Sequence, residues 1–196
     1  MSNLLLALES SVKDVIKDYN EHERNYLSES DCTFALMSRI KDNIVNPIFR
    51  IHMEARPFIK DENDLIINKK FEWKKQERAY DGQRVDIAII DDNFWYEVLL
   101  KAKRDQKRPK SSLNYWRLLS QPLESFKAVV EVKIKVHGNL DEINKDINKL
   151  WAIKKKNPNC IVLLVILDRC ASARSLKTAK KYAKKRGILV HTSNDI

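Results

Sequence analysis

Two short segments of the chain place carboxylates and a lysine inside runs of β-branched residues. Asp86 lies within RVDIAII, and Glu131 and Lys133 lie within AVVEVKIKV. Side chains on a strand alternate between its two faces, so Glu131 and Lys133 share one face and the flanking valines share the other. Such a charged face is often simply solvated. The alternative is that Glu131 and Lys133 form half of an active site, with Asp86 supplying the other half.

Two carboxylates and one lysine in a small site are chemically sufficient for phosphodiester hydrolysis. If the two strands are neighbours, Asp86 and Glu131 converge, and they repel each other unless a cation lies between them. Mg²⁺ is often bound by one or two carboxylates together with phosphate oxygens and water. Such an ion lowers the pKa of a water and stabilises charge on a phosphate. Lys133 would orient the attacking water or neutralise the transition state.

The elements that must position these residues follow from hydrophobic periodicity. Apolar residues at helical spacing predict helices over 3–25, about 29–45, 140–156 and 173–186. Short β-branched or continuous apolar runs predict strands over 48–59, 83–90, 128–136, 160–167 and 188–192. The last part reads as strand, helix, strand, helix, strand, which is typical of parallel βαβ units. The fold class is therefore α/β, with a mixed central sheet flanked by helices on both faces.

The second helix has two candidate caps. Ser28 or Ser30 can accept a hydrogen bond from the first turn. Its expected buried face carries Phe34, Met37, Ile40 and Ile44.

The chain is expected to form a single domain over residues 1–196. Residues 1–27 are interpreted as an N-terminal helical extension. Glu131 follows Asp86 by 45 positions, far more than a hairpin needs, so an insertion at about 92–127 must fill the gap. Within that insertion, Glu97 and Lys101 are a rival carboxylate–lysine pair. Their i, i+4 spacing favours a helix-surface ion pair.

On these residues the chain resembles the PD-(D/E)XK nuclease superfamily, which has the restriction-endonuclease-like fold. The order of strand, carboxylate, strand and Glu-x-Lys matches at Asp86, Glu131 and Lys133. The following helix carries Asp146-Ile147-Asn148-Lys149-Leu150, which is similar to an Asp-x-x-Lys-Leu stretch of several of these families. Val85 stands where the motif has its proline. The resemblance covers roughly residues 28–192 and implies a restriction-endonuclease-like core.

The resemblance implies a role for each matching residue. Asp86, Glu131 and the carbonyl of Val132 would bind Mg²⁺ or Mn²⁺, and Lys133 would be the catalytic lysine.

Many members of the superfamily add an acidic residue from the first core helix. Glu29 is the best candidate here, followed by Asp31, and ordinary helix N-terminal charge is an equal explanation for both. Glu54 in the first strand could also reach the site, although an ion pair with Arg56 or Arg84 explains it as well.

Basic residues predict contact with a polyanion. The formal net charge is +10, which favours binding to phosphates with release of their counterions. In the insertion, basic residues stand near Tyr115 and Trp116, a combination that suits phosphates and stacked bases. The C-terminal helix has a basic outer face. Solvated surfaces are the alternative in both places. The residues assigned to nucleic-acid binding are Arg104, Lys107, Arg108, Lys110, Lys177 and Lys181.

Other features of the sequence limit the cellular compartment in which the protein is expected to work. The first apolar run ends at Glu9 with no basic residue before it, so it does not read as a signal peptide. The longest apolar run, residues 160–167, is too short to span a membrane. Three cysteines lack metal-binding spacing, which favours reduced thiols and a cytoplasmic protein.

The sequence therefore predicts a metal-dependent nuclease that acts on DNA in preference to RNA. The resemblance also implies a possible homodimer, because many members of the superfamily work as dimers in which each site cuts one strand. A second reading is a catalytically silent module of the same fold that binds nucleic acid or serves assembly. A third is an unrelated α/β protein with structural charges, which would hold if Asp86 and Glu131 were far apart or on opposite faces.

Overall fold

A computed structural model of the chain describes residues 3–44, 49–55, 57–58, 85–91, 93, 121–122, 125–134, 140–169 and 172–195. The helices in these ranges are α1 (Asn3–Glu21), α2 (Glu29–Asn43), α3 (Leu140–Lys156) and α4 (Ala173–Lys184), with a 3-10 turn at Glu23–Asn25. The strands are β1 (Phe49–Ala55), β2 (Pro57–Phe58), β3 (Val85–Asp91), β4 (Gln121–Pro122), β5 (Phe126–Ile134), β6 (Ile161–Leu167) and β7 (Leu189–Thr192).

The central sheet has the strand order β1-β3-β5-β6-β7. Strand β3 pairs antiparallel with both β1 and β5, whereas β5, β6 and β7 are parallel to one another. Strands β2 and β4 form a separate short parallel pair. Helix α3 connects the parallel neighbours β5 and β6, as expected of a βαβ unit. The predicted mixed sheet is thus confirmed.

Helices cover both faces of the sheet, as predicted. On one face, α1 and α2 pack against apolar residues that include Val130 and Val132 of β5. On the other face, α3 and α4 pack against a second cluster, which includes Val129. Glu131 alternates with Val130 and Val132, so its side chain points toward the α3 face and into the protein rather than into water. The reading of a solvated strand face is therefore wrong for Glu131.

Helix α2 begins with a capping box. The Ser28 hydroxyl accepts a hydrogen bond from the Asp31 backbone N–H at 3.2 Å, and the Asp31 carboxylate accepts one from the Ser28 N–H at 2.8 Å. Ser28 rather than Ser30 is thus the cap. The expected buried face was wrong for Phe34, whose side chain is exposed. Because α2 packs against both α1 and the sheet, the buried stripe is rotated to Cys32, Thr33, Leu36 and Ile40.

Two element boundaries differ from the sequence expectation. Strand β5 spans 126–134 instead of 128–136, because Phe126 is already paired with Ile90 of β3. The expected insertion therefore overlaps the start of β5 by two residues, and residues 94–120 of it lie outside the described ranges. Helix α1 ends at Glu21, where the 3-10 turn follows, although the apolar pattern suggested residue 25.

Within the described ranges, no helix combines the length and the apolar character that a membrane crossing requires.

The cap generates the first prediction. Replacing Ser28 with Ala removes the hydroxyl that accepts the Asp31 N–H, so the free energy of unfolding should fall by about 1 kcal/mol. Ser30→Ala is the matched control, because Ser30 is exposed on the first turn of the same helix. Urea denaturation of both variants measures the difference. Equal losses of stability in the two variants would contradict the assignment of Ser28 as the cap.

Candidate active site

Strands β3 and β5 bring Asp86 and Glu131 together where their antiparallel pairing ends. Ile87 pairs with Val130, so Asp86, one residue before Ile87, and Glu131, one residue after Val130, are neighbours across the two strands. Both side chains lie on the α3 face, since Asp86 alternates with Ile87 as Glu131 does with Val130. Strand pairing brings the two residues together although Glu131 follows Asp86 by 45 positions in the sequence. The condition that would have favoured unrelated structural charges is therefore not met.

Asp86 is fixed by the backbone of β5. The Val132 N–H donates a hydrogen bond of 2.7 Å to Oδ2 of Asp86. The N–H and C=O of one strand residue project from the same edge of the strand, so the Val132 carbonyl points toward the Asp86 side as well. Asp86 and the Val132 carbonyl thus present oxygen atoms to one small region beside Glu131.

Glu131 is the most deeply buried carboxylate of this region. It retains only 1% of its accessible surface. Its Oε2 contacts Nζ of Lys149, on α3, at 2.6 Å. Its Oε1 is buried and has no hydrogen-bond partner among the described residues. An unsatisfied buried acceptor costs about 1–3 kcal/mol, so this oxygen is a strong candidate for binding a cation or a water.

Lys133 belongs to the same region and connects it to α2 and α3. Its ammonium donates to both carboxylate oxygens of Glu29, at 3.1 Å and 3.0 Å, and lies 3.6 Å from Oδ2 of Asp146. Glu29 stands in the first turn of α2, and Asp146 lies in the middle of α3. The site is therefore built from β3, β5, α2 and α3.

The other acidic residues that the sequence suggested for the site lie at three different places in the fold. Glu29 reaches the site, but its contact is with Lys133. Asp31 is used by the capping box, where hydrogen bonds from Ser28 lower its pKa. Glu54 lies in β1, and its side chain is outside the described residues.

Two residues of α3 complete the site and were not among the sequence-based candidates. Asp146 is buried, and its Oδ1 lies 3.2 Å from Nζ of Lys149. Ion pairs therefore run without interruption from Glu29 through Lys133, Asp146 and Lys149 to Glu131. The available signal was the Asp-x-x-Lys spacing, which places both residues beside the buried stripe of an otherwise amphipathic helix.

Burial dominates the electrostatics of the carboxylates. Burial, followed by the nearby Asp86 charge, raises the pKa of Glu131 to about 8, and the Lys149 ammonium opposes the rise. Burial also raises the pKa of Asp86, against the hydrogen bond from the Val132 N–H. The two pKa values rise because two neighbouring carboxylates are removed from water without a full set of counter-charges.

The lysines remain cations. Burial disfavours the charge on Lys133, but Asp146 and Glu29 outweigh it and raise the pKa of this lysine. Burial likewise opposes the charge on Lys149, and Glu131 and Asp146 outweigh it, so the pKa of Lys149 rises as well. Both ammonium groups are therefore charged at neutral pH and serve as electrostatic groups rather than as proton acceptors.

The donor set suits a hard divalent cation. Among the described residues, no group of three His, Cys, Asp or Glu side chains is already arranged around a common metal position. Asp86 and Glu131 supply two carboxylates, and Oε1 of Glu131 has no hydrogen-bond partner in the described part of the chain. The Val132 carbonyl is directed to the same side. Mg²⁺ is often held by one or two carboxylates and completes its shell with water and phosphate oxygens. These residues fit that mode of binding.

The residues assigned to nucleic-acid binding fall into two groups. Lys177 and Lys181 are exposed on α4, the helix that packs against α3 and β7. Those in the insertion, namely Arg104, Lys107, Arg108 and Lys110, lie outside the described ranges, as does the rival pair Glu97 and Lys101.

Comparisons with protein-family models, with curated proteins and with solved structures found no match to this chain. The class that fold and site define is an α/β protein with a mixed five-stranded sheet and a buried carboxylate–lysine site at the end of the β3·β5 pairing. Any more specific conclusion depends on the chemistry of that site.

The raised pKa of Glu131 predicts a pH dependence of stability in metal-free protein. The pKa is about 8 in the folded chain against an ordinary value of 4.5. The contribution of Glu131 to stability is thus full below about pH 4.5 and is lost as the pH rises through the folded value. In EDTA, Glu131→Gln should gain stability relative to the unmodified chain from about pH 5 to about pH 8.

Urea unfolding of both proteins across this pH range measures the difference in unfolding free energy. Glu142→Gln is the control, because Glu142 is exposed on α3. A difference for Glu131→Gln that does not change with pH would contradict the assigned burial of this charge.

Proposed function

We propose that this protein is a metal-dependent nuclease that hydrolyses phosphodiester bonds, in DNA in preference to RNA, on a restriction-endonuclease-like core. The observation that carries the proposal is the buried Glu131, whose Oε1 has no hydrogen-bond partner among the described residues and which lies in a network containing two lysines. This combination of hard oxygen donors and fixed cations is chemically sufficient for hydrolysis of a phosphodiester.

A purely structural role explains the network less well. Removing several charges from water is costly, and replacing a buried ion pair by packed apolar residues is often neutral or stabilising by about 1–4 kcal/mol. Glu131 lies between Val130 and Val132, in a strand whose other fully buried positions are apolar. A chain selected only for stability would gain from an apolar residue there. Retaining a half-satisfied carboxylate therefore favours a chemical role.

The proposed mechanism assigns a task to each group. A divalent ion bound here would lower the pKa of a water and stabilise the charge that develops on the phosphate. Asp86, Glu131 and the Val132 carbonyl would hold that ion, and the Val132 N–H keeps Asp86 in place. Lys133 orients the attacking water and neutralises charge in the transition state.

Lys133 acts as a cation in this mechanism. Its pKa is raised by Asp146 and Glu29 against burial, so it does not accept the proton of the attacking water at neutral pH. That proton passes to a phosphate oxygen of the substrate or to solvent, the P–O bond to the leaving alcohol breaks, and the departing oxygen takes up a proton from water. Glu29 binds Lys133 through both of its oxygens and acts as a positioning residue. An incoming phosphate competes with Glu29 for the ammonium, because both are anionic oxygen acceptors.

Nucleic acid is the polyanion that best fits the whole chain. The net charge of +10 favours phosphate contacts, and the exposed lysines of α4 extend this charge beyond the site. We expect the protein to work in the cytoplasm. Cleavage of both strands of a duplex would require two copies of the chain, because one site cuts one strand.

A cleavage assay tests the proposal. Purified protein is incubated with linear duplex, single-stranded and branched DNA and with RNA, in Mg²⁺, Mn²⁺ or EDTA. Lys133→Ala and Asp86→Asn should reduce metal-dependent cleavage by about 100-fold or more, because each removes transition-state stabilisation. DNA binding should be largely retained in both variants.

Lys145→Ala is the matched control for Lys133→Ala, since Lys145 is an exposed lysine of α3 outside the ion-pair network. Cleavage that survives in Lys133→Ala at the level of Lys145→Ala would sink the assignment. Binding of DNA without any metal-dependent cleavage would instead favour the catalytically silent module.

The basic face of α4 generates a further prediction. In Lys177→Gln/Lys181→Gln, affinity for DNA should fall uniformly across sequences. The slope of log K against log salt should become shallower by about 1 for each phosphate that a lysine no longer neutralises. Fluorescence anisotropy over a salt series measures both quantities.

The control for this pair is Lys13→Gln/Lys17→Gln, which removes the same charge from exposed positions of α1. If both double variants change the slope equally, the effect is one of net charge, and the proposed binding of phosphates by α4 is disproved.

A further inference from the structure

We propose that the site binds one divalent ion per chain and that the Lys149 ammonium takes the place of a second ion. The inference rests on the proposed function and deepens it. It concerns how many metal ions take part. Many enzymes hydrolyse phosphodiesters with two ions about 3.5–4 Å apart, whereas other metal enzymes use a single ion.

The position of Lys149 is that of a bridging cation. Its Nζ lies 2.6 Å from Oε2 of Glu131 and 3.2 Å from Oδ1 of Asp146. In a two-ion site, carboxylates from different elements converge on a second ion in the same way. Here the carboxylates of β5 and α3 converge on an ammonium that belongs to the chain itself.

Glu131 supplies the connection between the two cation positions. One of its oxygens is bound to Lys149, and the other is buried without a hydrogen-bond partner among the described residues. A carboxylate that bridges two ions in a two-metal site uses its oxygens in this manner, one for each ion. The free oxygen therefore marks the position of the divalent ion, with Asp86 and the Val132 carbonyl beside it.

Charge balance also indicates one divalent ion per chain. The described site contains four carboxylates and two ammonium groups, which leaves two negative charges when all are ionised. These groups are Asp86, Glu131, Asp146, Glu29, Lys133 and Lys149. One divalent ion neutralises that excess. With both ammonium groups in place, a second divalent ion would leave two positive charges, which the single negative charge of a phosphodiester does not cancel.

Packing holds Lys149 where it is. Its side chain is only 15% exposed, and its neighbours Ile147 and Leu150 on α3 are fully buried in the core. The helix therefore cannot rotate to carry the ammonium away without exposing these two apolar side chains. By contrast, Asp146 already pairs with both lysines, so it retains them when Glu131 engages a metal ion.

Direct measurement of Mn²⁺ binding tests the inference without any turnover. Metal-stripped full-length protein is titrated with Mn²⁺, and bound ions are counted by the loss of the free Mn²⁺ EPR signal, with calorimetry as an independent count. We expect one ion per chain. Lys149→Met removes the resident ammonium while retaining much of its volume, and we expect the count to rise to two.

Lys145→Met is the matched control, since it makes the same change at an exposed position of α3. Its count should stay at one. Lys149→Gln serves as a second variant if Lys149→Met does not fold, as judged by circular dichroism. The count for the unmodified chain decides the stoichiometry in either case.

The outcomes separate this inference from the function on which it rests. Two ions on the unmodified chain would overturn the inference but leave a nuclease intact. A folded Lys149 variant that still binds only one ion would overturn the role of Lys149. If the folded, unmodified chain binds no Mn²⁺, the proposed function fails, and the inference fails with it.

Discussion

The burial of the Glu131 carboxyl group beneath α3 is the constraint on which the rest of the site depends. A carboxylate with 1% of its surface exposed must be matched by cations or hydrogen-bond donors, because its desolvation otherwise costs several kcal/mol. The protein supplies Lys149 to one oxygen and leaves the other without a partner among the described residues. The remaining ion pairs follow from that arrangement, since Lys149 in turn requires Asp146, and Asp146 contacts Lys133.

The fold makes this arrangement possible because the pairing of β3 with β5 ends close to both α2 and α3. Where β3 and β5 part, the Val132 N–H is released from the ladder and binds Asp86 instead. The first turn of α2 brings Glu29 to Lys133, and α3 covers the opening with Asp146 and Lys149. An ion-pair network of this kind tolerates the removal of few members, because its inner members Lys133, Asp146 and Lys149 each pair with two neighbours.

Local sequence signals identified the elements well and their tertiary partners less well. Strand β6 is a continuous apolar run and needed no context. Phe34 was misplaced, because helical spacing defines a stripe but packing against α1 and the sheet decides which stripe is buried. Strand β5 begins at Phe126 because β3 offers a partner there. Asp146 and Lys149 carried only a spacing signal, and their partners lie on elements that are distant in the chain.

The sequence by itself determined the α/β class, the two strands that carry Asp86, Glu131 and Lys133, and the shared face of the last two, because alternation along a strand is a local property. Only the tertiary structure decided that Glu131 is buried, that α3 rather than solvent covers it, and that Glu29 binds Lys133. Burial and ion pairing depend on which elements meet. No local pattern specifies which elements pack together. The length of the segment between β3 and β5, for example, carries no information about the register in which these strands pair.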